Sequence, residues 1–465
     1  MTINLPRWPG ATDRTGTALW FALSAILLGH TLQMSNGHQD DGAMKVLTAA
    51  IAAALVGVAM PAIPALRRWG DRPLLALLGL GLVWQFGQLM STLPAIYMHF
   101  RSLATMMPFF IGVSAAAVLS GMGLAERPLL ERARMPLLLL IHFALGVWLI
   151  KVSPSPIIDV DTMQRQSVEA LAKGLNPYTL TFPNPYTDAR FFGEKLVKDG
   201  RILLGFPYPP LSLLLAMPGQ LLLGDYRYGQ LVAITGAGAL MAYSRPGRVA
   251  PAAAALFLFT PRVFFVLEQG WTDPFLVLML ALTAFAALRR PRWVPWVFGL
   301  FLALKQYSVF ALLLIWLLPP RPWRWSEFGR SALKAGALAL IITLPLALWN
   351  LQAFMNDLIL NQLGVPFRPD ALTFLAWRGT PPDQRVSMLS LAALGVTVVL
   401  AAVRSPRTAA GFAGAMAVLY FLYFSLGSHA FCNQYFFVLG ALCCAVATSE
   451  PAEAALAAPL ARGPD

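Results

Sequence analysis

Charge is scarce in this chain. Of 465 residues only 12% are Asp, Glu, Lys or Arg, against 57% hydrophobic, and mean hydropathy is +0.63. A soluble domain carries roughly twice that charged fraction, so an aqueous globular fold is excluded. Cysteine is scarcer still. Cys432, Cys443 and Cys444 all fall in the last apolar run, which excludes a disulfide framework and fits no zinc spacing. His30, His38, His99 and His142 show no metal-like spacing either, and no metal or other cofactor is expected. Glycine-rich phosphate loops, a Ser-His-Asp order and internal repeats are all missing. The polar opening MTINLPRWPGATDRTG lacks a small-residue cleavage site, which predicts no cleavable signal peptide.

Acids are outnumbered, 22 to 35 basic residues, for a net charge of +13. The excess is spread in short arginine clusters between apolar runs: Arg67, Arg68 and Arg72; Arg127, Arg132 and Arg134; Arg245 and Arg248; Arg289, Arg290 and Arg292; Arg321, Arg324 and Arg330; Arg404 and Arg407. Interrupted clusters of this kind mark cytoplasmic loops. Nucleic acid is therefore not the expected partner; the lipid bilayer is.

Several apolar runs reach the ~18–20 residues that cross a bilayer. The pattern predicts spans near 17–34, 46–66, 73–90, 104–123, 135–152, 227–243, 249–267, 273–288, 293–304, 306–319, 331–349, 387–403, 409–426 and 431–448. With the N-terminus inside, every arginine cluster falls on the cytoplasmic side, provided 209–224 does not cross. That segment is read as dipping into the outer face, broken by Pro218 and Gly219. Lys305 is placed at the outer surface between two half-length helices, because a lysine at the bilayer centre is costly. Asp40 and Asp41, in a short outer turn, are expected to be solvated. The result is an all-α polytopic bundle: a four-span N-terminal part over 1–134, a main part over 135–448 with an external loop at 153–226, and a loose cytoplasmic tail over 449–465.

The external loop starts KVSPSPIIDVDTMQRQSVEALAKGLNPYTLTF. From Asp161 to Lys173 its spacing is helical, with Val168, Leu171, Ala172 and Leu175 on an apolar stripe and Arg165, Glu169 and Lys173 on a charged face. This describes an amphipathic helix lying on the membrane surface, stopped by Gly174 and Pro177. Asp161 and Gln164 extend the apolar stripe, so the carboxylate faces the bundle. The competing account makes Asp161 the helix N-cap.

The run Asp159-Val160-Asp161, the amphipathic helix, Gly174-Leu175-Asn176-Pro177-Tyr178 and Tyr208-Pro209-Pro210-Leu211 together resemble the first external loop of GT-C fold glycosyltransferases. The branch most similar is the bacterial one that uses polyprenyl-phosphate sugars, typically mannosyltransferases. Glu268-Gln269-Gly270-Trp271-Thr272-Asp273-Pro274, Lys305-Gln306-Tyr307 and Asn433-Gln434-Tyr435 resemble that branch's later external turns. The likeness covers 135–448. Two features depart from it: four spans precede the acidic loop, and Arg165 stands where an aromatic often follows the acid.

The resemblance implies inverting transfer of a sugar, mannose above others, from a polyprenyl-phosphate donor to a glycan, glycolipid or protein acceptor. The reaction would take place at the outer face of a bacterial plasma membrane. An acceptor hydroxyl must lose its proton to a positioned carboxylate, a role the resemblance gives to Asp161, with Asp159 second. The departing phosphate needs fixed positive charge. Lys305 and Arg262 are candidates, with Arg165 and Arg201 weaker, and snorkelling is the competing account of the first two. Asp273 is read either as their partner, as an acceptor contact, or as a plain helix-start acid. Tyr208, Gln164, Asn433 and His429 complete the substrate-binding set. A secondary transporter or lipid flippase is the rival class, although transporters place their ionisable groups at the midplane of paired repeats, and a non-catalytic scaffold is a third.

Overall fold

Without water to serve the backbone, apolar segments must close their hydrogen bonds within themselves, and the expected spans are helical. The computed structural model describes residues 16–451, apart from 60–62, 100–101, 126–129, 187–190, 194–195, 319–324, 362–365 and 380–383. Arg127, Arg321, Arg324 and most of the tail lie outside the described residues. In chain order the helices begin with α1 (Thr17–Ser35), α2 (Asp41–Ala59), α3 (Pro64–Arg67), α4 (Arg72–Ser91), α5 (Leu103–Leu124) and α6 (Arg134–Val152). The loop region contributes α7 (Asp159–Ala172) and α8 (Pro210–Leu223), followed by α9 (Arg227–Ala242), α10 (Val249–Leu258), α11 (Val263–Gln269), α12 (Asp273–Arg289) and α13 (Val294–Leu302). Then come α14 (Trp325–Trp349), α15 (Leu351–Met355), α16 (Phe374–Arg378), α17 (Gln384–Arg404), α18 (Ala409–Ser425) and α19 (Cys432–Thr448). The protein is an all-α, multi-pass helical bundle. Among the described residues α1, α2, α4, α5, α6 and α14 are each long and apolar enough to cross alone, and α10 with α11, bent by 49° at their junction, are long and apolar enough only when taken together.

α18 and α19 have 17 residues each and are buried almost all round, as helices at the centre of a bundle are. Small residues let neighbours approach them. A Cβ on Gly440 would meet Val277 of α12 at 2.5 Å. The N-terminal helices belong to the same core: α1 packs on α2 and α19, α4 packs on α10, and their buried residues continue those of α9 to α12.

Two expectations need correction. α8 runs unbroken through Pro218 and Gly219. Gly219 is there for packing, since a Cβ would meet the Asp225 carbonyl oxygen at 2.8 Å and the Tyr226 carbonyl oxygen at 3.1 Å. The second short span is not α-helical. Gln306–Leu317 is a twelve-residue 3₁₀ run, which at about 2.0 Å per residue covers ~24 Å where an α-helix would cover ~18 Å. Asp40 and Asp41 are exposed, as expected of a solvated turn, and each also accepts one hydrogen bond: Asp40 from the Ala43 N–H at 2.8 Å, and Asp41 from the Trp377 indole N–H at 2.8 Å.

The external loop folds over the bundle as α7, a 3₁₀ turn at Pro177–Thr179 and a small antiparallel sheet of β1 (Phe182–Pro183), β2 (Val197–Lys198) and β3 (Arg201–Ile202), ordered β1-β3-β2. Met163, Phe182, Ile202 and Leu204 form a small core of their own beneath it.

Candidate functional site

α7 begins at Asp159, two residues before the predicted start. Its N-cap is Ile158, so Asp161 is the third helical residue and does not cap. The predicted stripe holds over its first part. Val160, Asp161, Met163, Gln164, Ser167 and Val168 face inward, while Ala172 and Leu175 are exposed. Gly174, at φ +73°, ends it.

Asp161 lies in a ladder of alternating charge. Arg165 Nε donates to both its oxygens, at 3.0 and 2.9 Å, and Arg165 Nη2 reaches Asp225 Oδ2 at 3.0 Å. Asp225 takes Arg227 Nη2 at 2.7 Å and Nε at 3.0 Å. Arg227 is wholly buried and also donates to the backbone carbonyls of Glu268 (3.3 Å) and Ile150 (3.4 Å). Burial acts to raise the Asp225 carboxyl, and the Arg227 guanidinium overrides it, holding the group below the usual carboxylate range. Two anions and two cations cancel here.

Asp159 is differently placed. Its Oδ1 accepts from the Tyr186 hydroxyl at 3.0 Å and from the Val160 N–H at 2.9 Å. Its Oδ2 makes no hydrogen bond among the described residues. Burial pushes the carboxyl above its ordinary range, against the pull of the Tyr186 hydroxyl, the Val160 N–H and the nearby Arg368. Tyr208 stands between this acid and a second centre, within electrostatic reach of both Asp159 and Asp273.

That second centre gathers residues from three distant turns. Lys305 Nζ lies 2.7 Å from Asp273 Oδ2, Asn433 Nδ2 donates to the same oxygen at 2.8 Å, and the Tyr307 hydroxyl donates to Oδ1 at 2.5 Å. Lys305 is 5% exposed and does not snorkel: Asp273 meets its charge, and the rings of Tyr208 and Tyr307 stand 5.2 and 5.5 Å away. Its extended backbone (φ −146°, ψ 154°) at the junction of α13 and the 3₁₀ run aims it inward.

The structure thus brings Asp159, Tyr208, Lys305, Asp273 and Asn433 to one region and leaves others aside. Arg262 donates to the backbone carbonyls of Leu93 (3.0 Å) and Gln33 (3.5 Å), joining α10–α11 to the N-terminal helices. Glu268 accepts from the N–H groups of Ile96 and Tyr97, each at 2.8 Å, and from the Ser153 hydroxyl at 2.6 Å. Arg201 donates to the Thr181 hydroxyl at 3.0 Å at the edge of the sheet. His429 contacts Ser428 and the Pro366 carbonyl, beside Arg368. Gln164 is fully buried, and neither atom of its amide has a partner among the described residues; the same holds for the hydroxyls of Ser167, Tyr226 and Thr272.

Arg368 was not foreseen. Its guanidinium lies 4.4 Å from the Phe191 ring and 4.8 Å from the Phe431 ring, and it grips both oxygens of Asp370 at 2.7 Å. Among the described residues no three His, Cys, Asp or Glu side chains are grouped to hold a metal ion. Compared with protein-family models, curated proteins and solved structures, the chain matches none of them.

Proposed function

We propose that this chain is a membrane-embedded inverting glycosyltransferase, moving a sugar, mannose first among candidates, from a polyprenyl phosphate to an acceptor hydroxyl at the outer face of a bacterial plasma membrane. One observation carries the reading: among the described residues Asp159 keeps an unengaged carboxylate oxygen, within electrostatic reach of Arg368, and the Tyr208 ring links it to the Lys305–Asp273 centre. Asp161 came first on the sequence pattern. Both its oxygens are committed to Arg165, so the role of base passes to Asp159.

In this reaction the acceptor oxygen attacks the anomeric carbon as the bond from that carbon to the phosphate oxygen breaks. The phosphate leaves with the bonding pair, and the hydroxyl proton passes to Asp159 Oδ2. Lys305 spends one N–H on Asp273 and keeps two for phosphate oxygens. Fixed charge aimed at a developing anion in a dry site is the largest catalytic term available. The orphaned Gln164 amide and Thr272 hydroxyl are suited to sugar hydroxyls. A mostly apolar hollow of about 630 Å³, lined by Phe374, Leu375, Trp377, Arg378, Leu389 and Leu426, suits part of an isoprenoid tail.

The test is to incubate purified protein in nanodiscs with a panel of polyprenyl-phosphate sugars and to assay free polyprenyl phosphate. Release by the parent and not by Asp159→Asn supports the reading. No release from any donor, together with uptake into vesicles without covalent product, would replace it with transport.

A further inference from the structure

Two outer connections of the N-terminal helices reach the walls of the site. Between α1 and α2, Asn36 (φ 54°) and Gly37 (φ 80°) form a left-handed turn. A Cβ on Gly37 would collide with the backbone nitrogen of Cys432, which opens α19 and precedes Asn433. The next residues grip the strap at 366–373. The Gln39 N–H donates to the Asp370 carbonyl at 2.9 Å, His38 forms a β-bridge with Ala371, and His38 Nδ1 lies 3.4 Å from Asp370 Oδ2. Asp41 then holds the indole of Trp377 in α16. The second connection, at 92–99, is the one clasped by Glu268, which also fixes Ser153 at the start of the chain leading to Asp159.

We infer that the N-terminal helices are a positioning part of the site: the Asn36–Asp41 turn holds Asp370 and its strap so that Arg368 points at Asp159 as a contact for the donor phosphate. The inference rests on the proposed reading of Asp159 and the lipid-phosphate substrate. A guanidinium laid between two rings and gripped by a carboxylate through Nε and Nη2 has its orientation fixed in advance, and its outer edge, Nη1 with the second Nη2 hydrogen, is left for phosphate oxygens. Asp370 and Arg368 are separated by one residue on a strap with little secondary structure. Outside support therefore decides where the fork points: this turn holds Asp370 and Ala371 from one side, while Ala430, Tyr435 and His429 hold Leu372 and Pro366 from the other.

Full-length protein in nanodiscs tests it. Gly37→Ala should raise KM for the lipid-phosphate donor about tenfold with kcat within about twofold, Arg368→Gln should do the same, and the double variant should be no worse than Arg368→Gln alone. Because Gly37→Ala also risks misfolding, Asp41→Ala removes the acceptor of the Trp377 indole N–H from the turn's own side and should raise KM about two- to threefold, with the same lack of additivity. Amide exchange needs no activity: peptides over 366–378 should exchange faster in both turn variants, with α4 to α6 unchanged. Additive effects of the turn and Arg368, or unchanged exchange over 366–378, would overturn the inference. Faster exchange in a protein that releases no polyprenyl phosphate would keep the mechanical link and sink the activity instead.

Discussion

Asp159 and Asp161 are the same residue type, two positions apart on one helix, and they meet opposite conditions. Asp161 enters a closed ladder in which two carboxylates and two guanidiniums cancel and every strong contact is spent inside the protein. Asp159 is held on one oxygen by a neutral hydroxyl and a backbone N–H, and its other oxygen is unspent among the described residues. A buried charge that is fully paired fixes geometry, whereas one that is half paired keeps chemical potential for a substrate. On the proposed reading, structure and chemistry are divided between neighbours on the first turn of α7.

The sharpest way to break this contrast is to neutralise each acid in turn. Asp159→Asn should cost about 10²–10⁴-fold in kcat, the range for losing a general base, with the thermal midpoint in detergent little changed. Asp161→Asn should do the reverse, lowering the midpoint with a smaller loss of turnover. If the two exchange behaviours, the division of roles is wrong. Next in size is Arg227→Met. Removing one partner of a buried pair costs about 3–5 kcal/mol, so this variant should unfold earlier or express poorly. Arg227→Lys should recover only part of the loss, because a lysine's single nitrogen cannot reproduce the two-pronged grip on Asp225 while reaching two backbone carbonyls.

Much of the fold was legible because apolar run length and backbone satisfaction leave few alternatives. α7 was legible too, from its stripe and its terminating glycine. The inward turn of Asp161 and Gln164 follows from the same stripe, and the ion pair has a local signal as well: Arg165 lies four residues after Asp161, the spacing at which two helical side chains meet. Asp225 and Arg227, two residues apart at the start of a span, gave a similar local hint. The rest had no local signature. Lys305 finds Asp273 across 32 positions and Asn433 finds it across 160, and nothing in either neighbourhood specifies the partner. Arg368 reads as an ordinary loop cation until the fold stacks it on Phe191 and Phe431. The 3₁₀ run is equally hidden, since a continuously apolar segment has no stripe to separate a period of 3.0 from one of 3.6.

A smaller change sharpens the comparison from the side of Asp159. Tyr186 donates to its carboxylate and so favours the charged form. Tyr186→Phe removes that bond and should move the acid limb of the kcat/KM profile to higher pH, because a base is lost as pH falls through its own pKa and that pKa has risen. The loss at the optimum should be only a few-fold. Asp161, already served by Arg165, should leave the limb in place when Tyr186 is changed. A profile that drops uniformly without moving would mean that Tyr186 merely packs.

The mildest effect is expected at a third acid, which extends the contrast to the far wall. Asp357 lies in the π-helical turn Asn356–Leu360, next to the Gly205 backbone, where a Cβ on Gly205 would collide with its Oδ2. Burial pushes its carboxyl up to about 7, against hydrogen bonds from the Gly205 N–H and Asn361. Between the usual carboxylate range and pH 7, the folded chain therefore binds a proton that the unfolded chain has released. Stability from this group is present in acid and declines as pH rises through that window. Asp357→Asn keeps the shape without the charge, so the thermal midpoint should lose this slope and gain at pH 8, by on the order of 1 kcal/mol after solvent screening. A variant that keeps the parent's slope would place the titrating group elsewhere. The direction follows from which influence is largest: the Arg227 guanidinium holds Asp225 charged, whereas burial dominates at Asp357 over the Gly205 N–H and Asn361, and the carboxyl takes up a proton instead.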